Sequence, residues 1–98
     1  MIREKIAEIN PEALMCDGFD EAIIGLGERI NLGPVVAYDV EKIIEILAVD
    51  MEVEGVDLED GQSIEDVKIA MAYEYFYYNI QGAWVGDNTP IFISKLQN

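Results

Sequence analysis

Histidine is absent from this chain of 98 residues, cysteine occurs once, and basic residues number six against twenty acidic ones. Each scarcity removes a class of chemistry. Without histidine the chain lacks the side chain that most often serves as a general base near neutral pH and as a ligand of catalytic zinc. Cys16 stands alone, so it can form no intramolecular disulfide and no multi-thiolate metal site within one chain. The shortage of lysine and arginine leaves a formal net charge of −14, which repels nucleic-acid phosphates and anionic membrane surfaces. Neither nucleic acid nor membrane is therefore expected as a direct partner. No apolar run approaches the roughly 20 residues that span a bilayer. The opening MIREKIAEINPE has no signal-peptide apolar region, so a cytoplasmic location is expected.

What is present argues for a fold. Apolar residues make up 51% of the chain and recur in patterned runs, which intrinsic disorder does not show. The length suits one domain over residues 1–98 with a modest core, a size at which oligomerisation often adds stability. Ile2, Ile6 and Ile9 follow the i, i+4, i+7 pattern of a short helix ending at Asn10-Pro11. Asn10 is placed to cap a second short helical turn that Gly18 closes. The β-branched runs at 22–26 and 34–38 suggest an antiparallel hairpin. Asp39 then precedes Val40, Ile43, Ile44 and Leu47, whose spacing predicts a helix. Ser63 and Asp66 approximate a capping box at the start of another helix, running to Gln81. Gly82 is expected to end it in the left-handed region. Asn79, Gly86 and Pro90 complete the scaffold that turns the chain into a last strand at 91–94. The expected fold class is α+β: a small three-stranded antiparallel sheet, made of the hairpin and the C-terminal strand, covered by three to four helices.

Two motifs invite a ligand and fail on spacing. Gly25-Leu26-Gly27-Glu28-Arg29-Ile30 begins like a dinucleotide fingerprint but has Ile where the third glycine belongs, so the glycines read as a bulge or hairpin turn. The stretch 50–61 puts Asp50, Glu52, Glu54 and Gly55 on calcium-loop positions one, three, five and six, yet Gly61 occupies the position of the closing bidentate glutamate. No metal and no cofactor is expected. Eight acids and no base lie between Asp50 and Asp66, a solvated acidic surface in which Glu52, Glu54, Asp57, Glu59 and Asp60 are the candidate contacts for a basic partner. Cys16 beside Asp17 reads as a small buried residue, since an adjoining acid disfavours the thiolate a nucleophile needs. No pair among the twenty acids is singled out for hydrolytic chemistry.

Seven of the nine aromatic residues fall in AYEYFYYNIQGAWVGDNTPIF, residues 72–92. On a helical wheel Val67, Met71, Tyr75 and Tyr78 form one stripe and Ile69, Ala72, Phe76 and Ile80 another on nearly the opposite side. Core packing is expected to take up most of this cluster. One small sheet cannot hide both stripes, however, and the surplus points to contact with another chain. The expected contact residues are Met71, Tyr73, Tyr75, Tyr77 and Tyr78. Tyr73 and Tyr77, the rings expected to be most exposed, lie at its edge, with Met71, Tyr75 or Tyr78 nearer the centre.

DGFDEAIIG at 17–25, VVAYDVEKIIEIL at 35–47 and EYFYYNIQGAWVGDNTPIFI at 74–93 together resemble a family of small uncharacterised proteins encoded by bacteriophages and bacteria. The resemblance covers about half the chain and carries over no activity and no ligand residues. The longer acidic segment before the third helix, and Tyr77 where a charged residue is expected, depart from the family's pattern. The phage association implies a partner in the host. The reading is thus a small acidic, non-enzymatic binding protein that docks on a host protein with a basic surface, self-associates as a homo-oligomer, or does both. Two alternatives are open. One is a decoy whose carboxylates imitate DNA phosphates; the other is a binder of a small ligand or nucleotide, or a carboxylate-based enzyme.

Overall fold

The computed structural model describes residues 1–53, 58 and 61–96. The fold is α+β, with three α-helices and a three-stranded sheet among the described residues. These divide into two compact units, one holding the described residues of Met1–Val40 and Trp84–Asn98, the other those of Glu41–Ala83.

In the first unit, helix α1 (Ile2–Ile9) buries Ile6 while Ile2 and Ile9 stay exposed. The Arg3 guanidinium reaches Asp20 through two nitrogens, at 2.7 and 2.8 Å, and so ties α1 to the 3₁₀ turn Asp20–Ala22. The same hydrogen bonds hold the Asp20 carboxyl below its ordinary range. The second helical turn expected after Asn10 does not form. Asn10 is extended, with φ −147° and ψ 96°, and its Oδ1 accepts from the Glu12 amide at 3.1 Å, which makes a local turn instead of a helix start.

Strand β1 (Ile23–Arg29) and strand β2 (Leu32–Asp39) form the expected antiparallel hairpin, joined through Ile30 and Asn31, with Asn31 at φ 64°. The register shift between Ile23 and Gly25 places an extra residue on β1 and that between Gly27 and Arg29 places one on β2, so Gly25 and Gly27 lie within an irregular strand and not a nucleotide loop. Four consecutive residues of β2, Val35 to Tyr38, are buried, as a strand flanked on both edges and covered on both faces requires. Strand β3 (Ile91–Ile93) lies beside β2, with Tyr38 opposite Phe92 and their rings stacked at 5.9 Å.

The pairing of β3 with β2 is parallel, so the sheet is mixed where an antiparallel one was expected. A parallel neighbour needs a long crossover, and residues 40–90 with their two helices supply one. The turn before β3 depends on Gly86 at φ +107°, a conformation a side chain would strain. Thr89 closes this turn: its Oγ1 donates to the Gly86 carbonyl at 2.6 Å and accepts from the Val85 amide at 3.0 Å.

The second unit carries helix α2 (Val40–Asp50) from Glu41 onward, with Ile43 and Ile44 buried as the spacing requires, while the expected Leu47 is half-buried and Ala48 is buried beside it. Helix α3 (Ile64–Tyr75) opens with the expected capping box: Ser63 Oγ accepts from the Asp66 amide at 3.1 Å and Asp66 accepts from the Ser63 amide at 3.2 Å. The helix does not run on in α geometry to Gln81. From Phe76 to Gln81 it widens into a π-helical turn, a rare form that occurs disproportionately at functional positions.

Candidate functional site

The widened turn decides which rings face solvent. At its start the Phe76 amide is shared between the carbonyls of Ala72 and Tyr73. Asn79 supports the junction, its side-chain amide donating to the Tyr75 carbonyl at 3.3 Å. Each residue of a π turn advances by less than the 100° of an α-helix. Residues 76–81 therefore drift from the wheel positions read off the sequence.

Val67, Ala72 and Phe76 are buried and Ile80 is half-buried. Along the same helical stretch Ile69 is exposed, Tyr75 is 47% exposed, Tyr77 52% and Tyr78 80%. Met71 and Tyr73 are half-buried. Tyr73 stacks on Tyr77 with centroids 6.2 Å apart, and Phe76 meets Tyr77 edge-on at 5.1 Å. Tyr78 is the outermost ring, ahead of the expected pair Tyr73 and Tyr77. Core packing also accounts for less of the cluster than expected. It takes Phe76 completely and Tyr73 and Phe92 in part, while Tyr75, Tyr77, Tyr78 and Trp84 remain exposed. Cover is uneven along both stripes: Ala72 and Phe76 are buried on one while Ile69 is exposed, and Val67 is buried on the other while Tyr75 and Tyr78 are exposed.

The five residues expected to make the contact all lie on α3 and its π turn. Of these, Met71, Tyr75 and Tyr78, together with Met51, Glu74 and Asn79, line an open hollow of about 370 Å³. Sequence reasoning did not associate Met51, Glu74 or Asn79 with the tyrosines. Met51 stands beyond the end of α2, and no local pattern connects it to residues some twenty positions later. The i, i+4 spacing of Met71, Tyr75 and Asn79, with Glu74 and Tyr78 beside them, was available in the sequence. A second hollow of about 460 Å³ in the same unit is lined by Glu45, Ala48, Val49, Glu65, Lys68 and Ile69.

Of the acidic candidates Glu52 is exposed, whereas Glu54, Asp57, Glu59 and Asp60 lie outside the described residues, as does Gly55 of the calcium-loop reading. Among the described residues no group of three or more Cys, Asp or Glu side chains could hold a metal ion. No helix among them is long and apolar enough to cross a membrane.

Cys16 lies outside any helix and half-buried, with its amide donating to the Tyr38 hydroxyl at 2.7 Å. Burial pushes its thiol up from the ordinary value and the Asp17 charge adds to this, while a hydrogen bond with Tyr38 opposes it. A thiol held protonated is poorly suited to nucleophilic attack. Comparison with protein families, with functionally characterised proteins and with solved structures finds no match to this chain.

Proposed function

We propose that this chain is a non-enzymatic binding protein that docks on another protein through the tyrosine face of α3 and its π turn. In keeping with the phage resemblance, we take the partner to be a host protein. The observation that carries the reading is the exposure of Tyr75 and Tyr78, which line one hollow with Met71, together with that of Tyr77 on the same short stretch of helix. Tyrosine suits such a surface because its ring gives up apolar area to a partner while its hydroxyl keeps a hydrogen bond at the rim. The two rings of Tyr75 and Tyr78, with Met71 lining the same hollow, make a patch of the aromatic kind enriched at interface centres.

The charge of −14 favours a basic partner over a second copy of the same chain, since identical acidic surfaces repel at close approach. The test is a capture experiment from bacterial lysate with the wild type and with Tyr75→Glu/Tyr78→Glu, accompanied by light scattering and circular dichroism. Loss of a specific captured protein, with helix content retained, supports the reading. A double variant that captures every wild-type partner would refute it. A wild-type mass that is a multiple of 11.0 kDa and falls to 11.0 kDa in the double variant would reassign the face to self-association.

A further inference from the structure

The hollow beside the tyrosines has a definite chemical character. Its lining combines two thioethers, Met51 and Met71, two phenol rings, Tyr75 and Tyr78, one amide, Asn79, and a single charge, the carboxylate of Glu74. No lysine or arginine lines it. The described residues from Glu41 to Ala83 include seven acids against two lysines. Lys42 pairs with Glu45 at 3.3 Å, and Lys68 lines the second hollow. A cation approaching this hollow thus meets attraction from Glu74 and from the net charge of the segment around it. At about 370 Å³ the hollow falls at the small end of the roughly 300–1,000 Å³ typical of ligand pockets and is open on one side. Those dimensions suit one inserted side chain better than an enclosed cofactor.

We propose that the hollow receives an arginine side chain from a basic segment of the partner protein. The inference rests on the reading of the tyrosine face as the contact surface and names what anchors there. Three physical comparisons select arginine. A neutral apolar side chain would shield Glu74 from water without replacing its hydration. A second copy of this chain would bring a second Glu74 toward the first. A guanidinium does neither, because its plane stacks on a tyrosine ring, its stem lies against methionine, and its N–H fork donates to a carboxylate. Lysine has the charge but lacks the plane and the fork.

The test follows the ring and methyl NMR signals of the full chain during titration with the peptide acetyl-Gly-Arg-Gly-Arg-Gly-amide. The control is the same peptide with citrulline in place of arginine, which keeps the shape and removes the charge. Saturable shifts at Tyr75, Tyr78 and Met71 with the arginine peptide, absent with citrulline, are expected. Glu74→Gln should weaken the arginine peptide about fivefold while leaving the fold intact. Equal shifts with both peptides, or shifts that avoid the hollow, overturn the assignment. If the peptide misses the hollow while Tyr75→Glu/Tyr78→Glu still abolishes partner capture, the arginine anchor falls and the contact surface stands. If capture also survives the double variant, both fall.

Discussion

Tyr38 is completely buried, and its phenol is pushed up to about 12, chiefly by desolvation. The fold therefore favours the neutral phenol. Its contribution to stability is whole below the ordinary tyrosine value near pH 10 and is lost as pH rises toward 12. Two pKa units correspond to about 2–3 kcal/mol at most. Denaturant unfolding followed between pH 8 and 12 should show a steeper alkaline loss in wild type than in Tyr38→Phe, and parallel curves would contradict the assignment. Asn10 acts through geometry instead of charge. Its side-chain amide donates to the Pro34 carbonyl at 2.8 Å and to Asn88 Oδ1 at 3.2 Å, joining the end of α1 to the hairpin and to the turn before β3. Asn10→Ala should cost about 1–3 kcal/mol in thermal or chemical unfolding, since it orphans partners at several points together. A loss below a few tenths would remove Asn10 from this role. The sequence offered Asn10 only as a helix cap because its true partners lie 24 and 78 residues away, beyond any local pattern.

At the scale of elements, legibility followed the range of the interactions. The Ser63–Asp66 box, the β-branched hairpin and the Val40–Ile43–Ile44 stripe are set by neighbours within a few residues, and each appears where its spacing places it. The parallel docking of β3 and the π turn are set by tertiary context, which periodicity does not encode. Gly82 illustrates the difference. Its expected left-handed conformation is not found; φ is −76° and ψ −6°, ordinary right-handed values. The widened turn instead carries the carbonyls of Tyr77 and Tyr78 against position 82, where an added Cβ would stand 3.0 Å from the Tyr77 oxygen. Glycine is needed there for space and not for backbone freedom. Gly82→Ala should therefore fail to give the gain of about 0.4–1 kcal/mol that such a change brings at an unstrained site. A melting temperature raised to match that gain would show the contact to be harmless.

For the molecule as a whole, the acidic balance and the exposed rings are complementary. In the proposed reading, charge keeps identical chains apart and draws basic surfaces near, while tyrosine and methionine supply the apolar area that makes an encounter last. The aromatic concentration was visible in the sequence, and so was its division into two stripes. Which residues of each stripe face solvent was not, because that depends on what packs against Val67, Ala72 and Phe76. The most direct test of the contact surface is site-specific photo-crosslinking in bacterial lysate, with p-benzoylphenylalanine replacing Tyr78 in one variant and Ile30 in another. Ile30, 89% exposed in the hairpin turn, reports on chance encounters at an apolar site remote in sequence from the tyrosines. The expected result is a discrete adduct from position 78 that is absent from position 30 and suppressed when Tyr75→Glu is added. Equal adduct yields from the two positions, or none from position 78, would contradict a binding role for the tyrosine face.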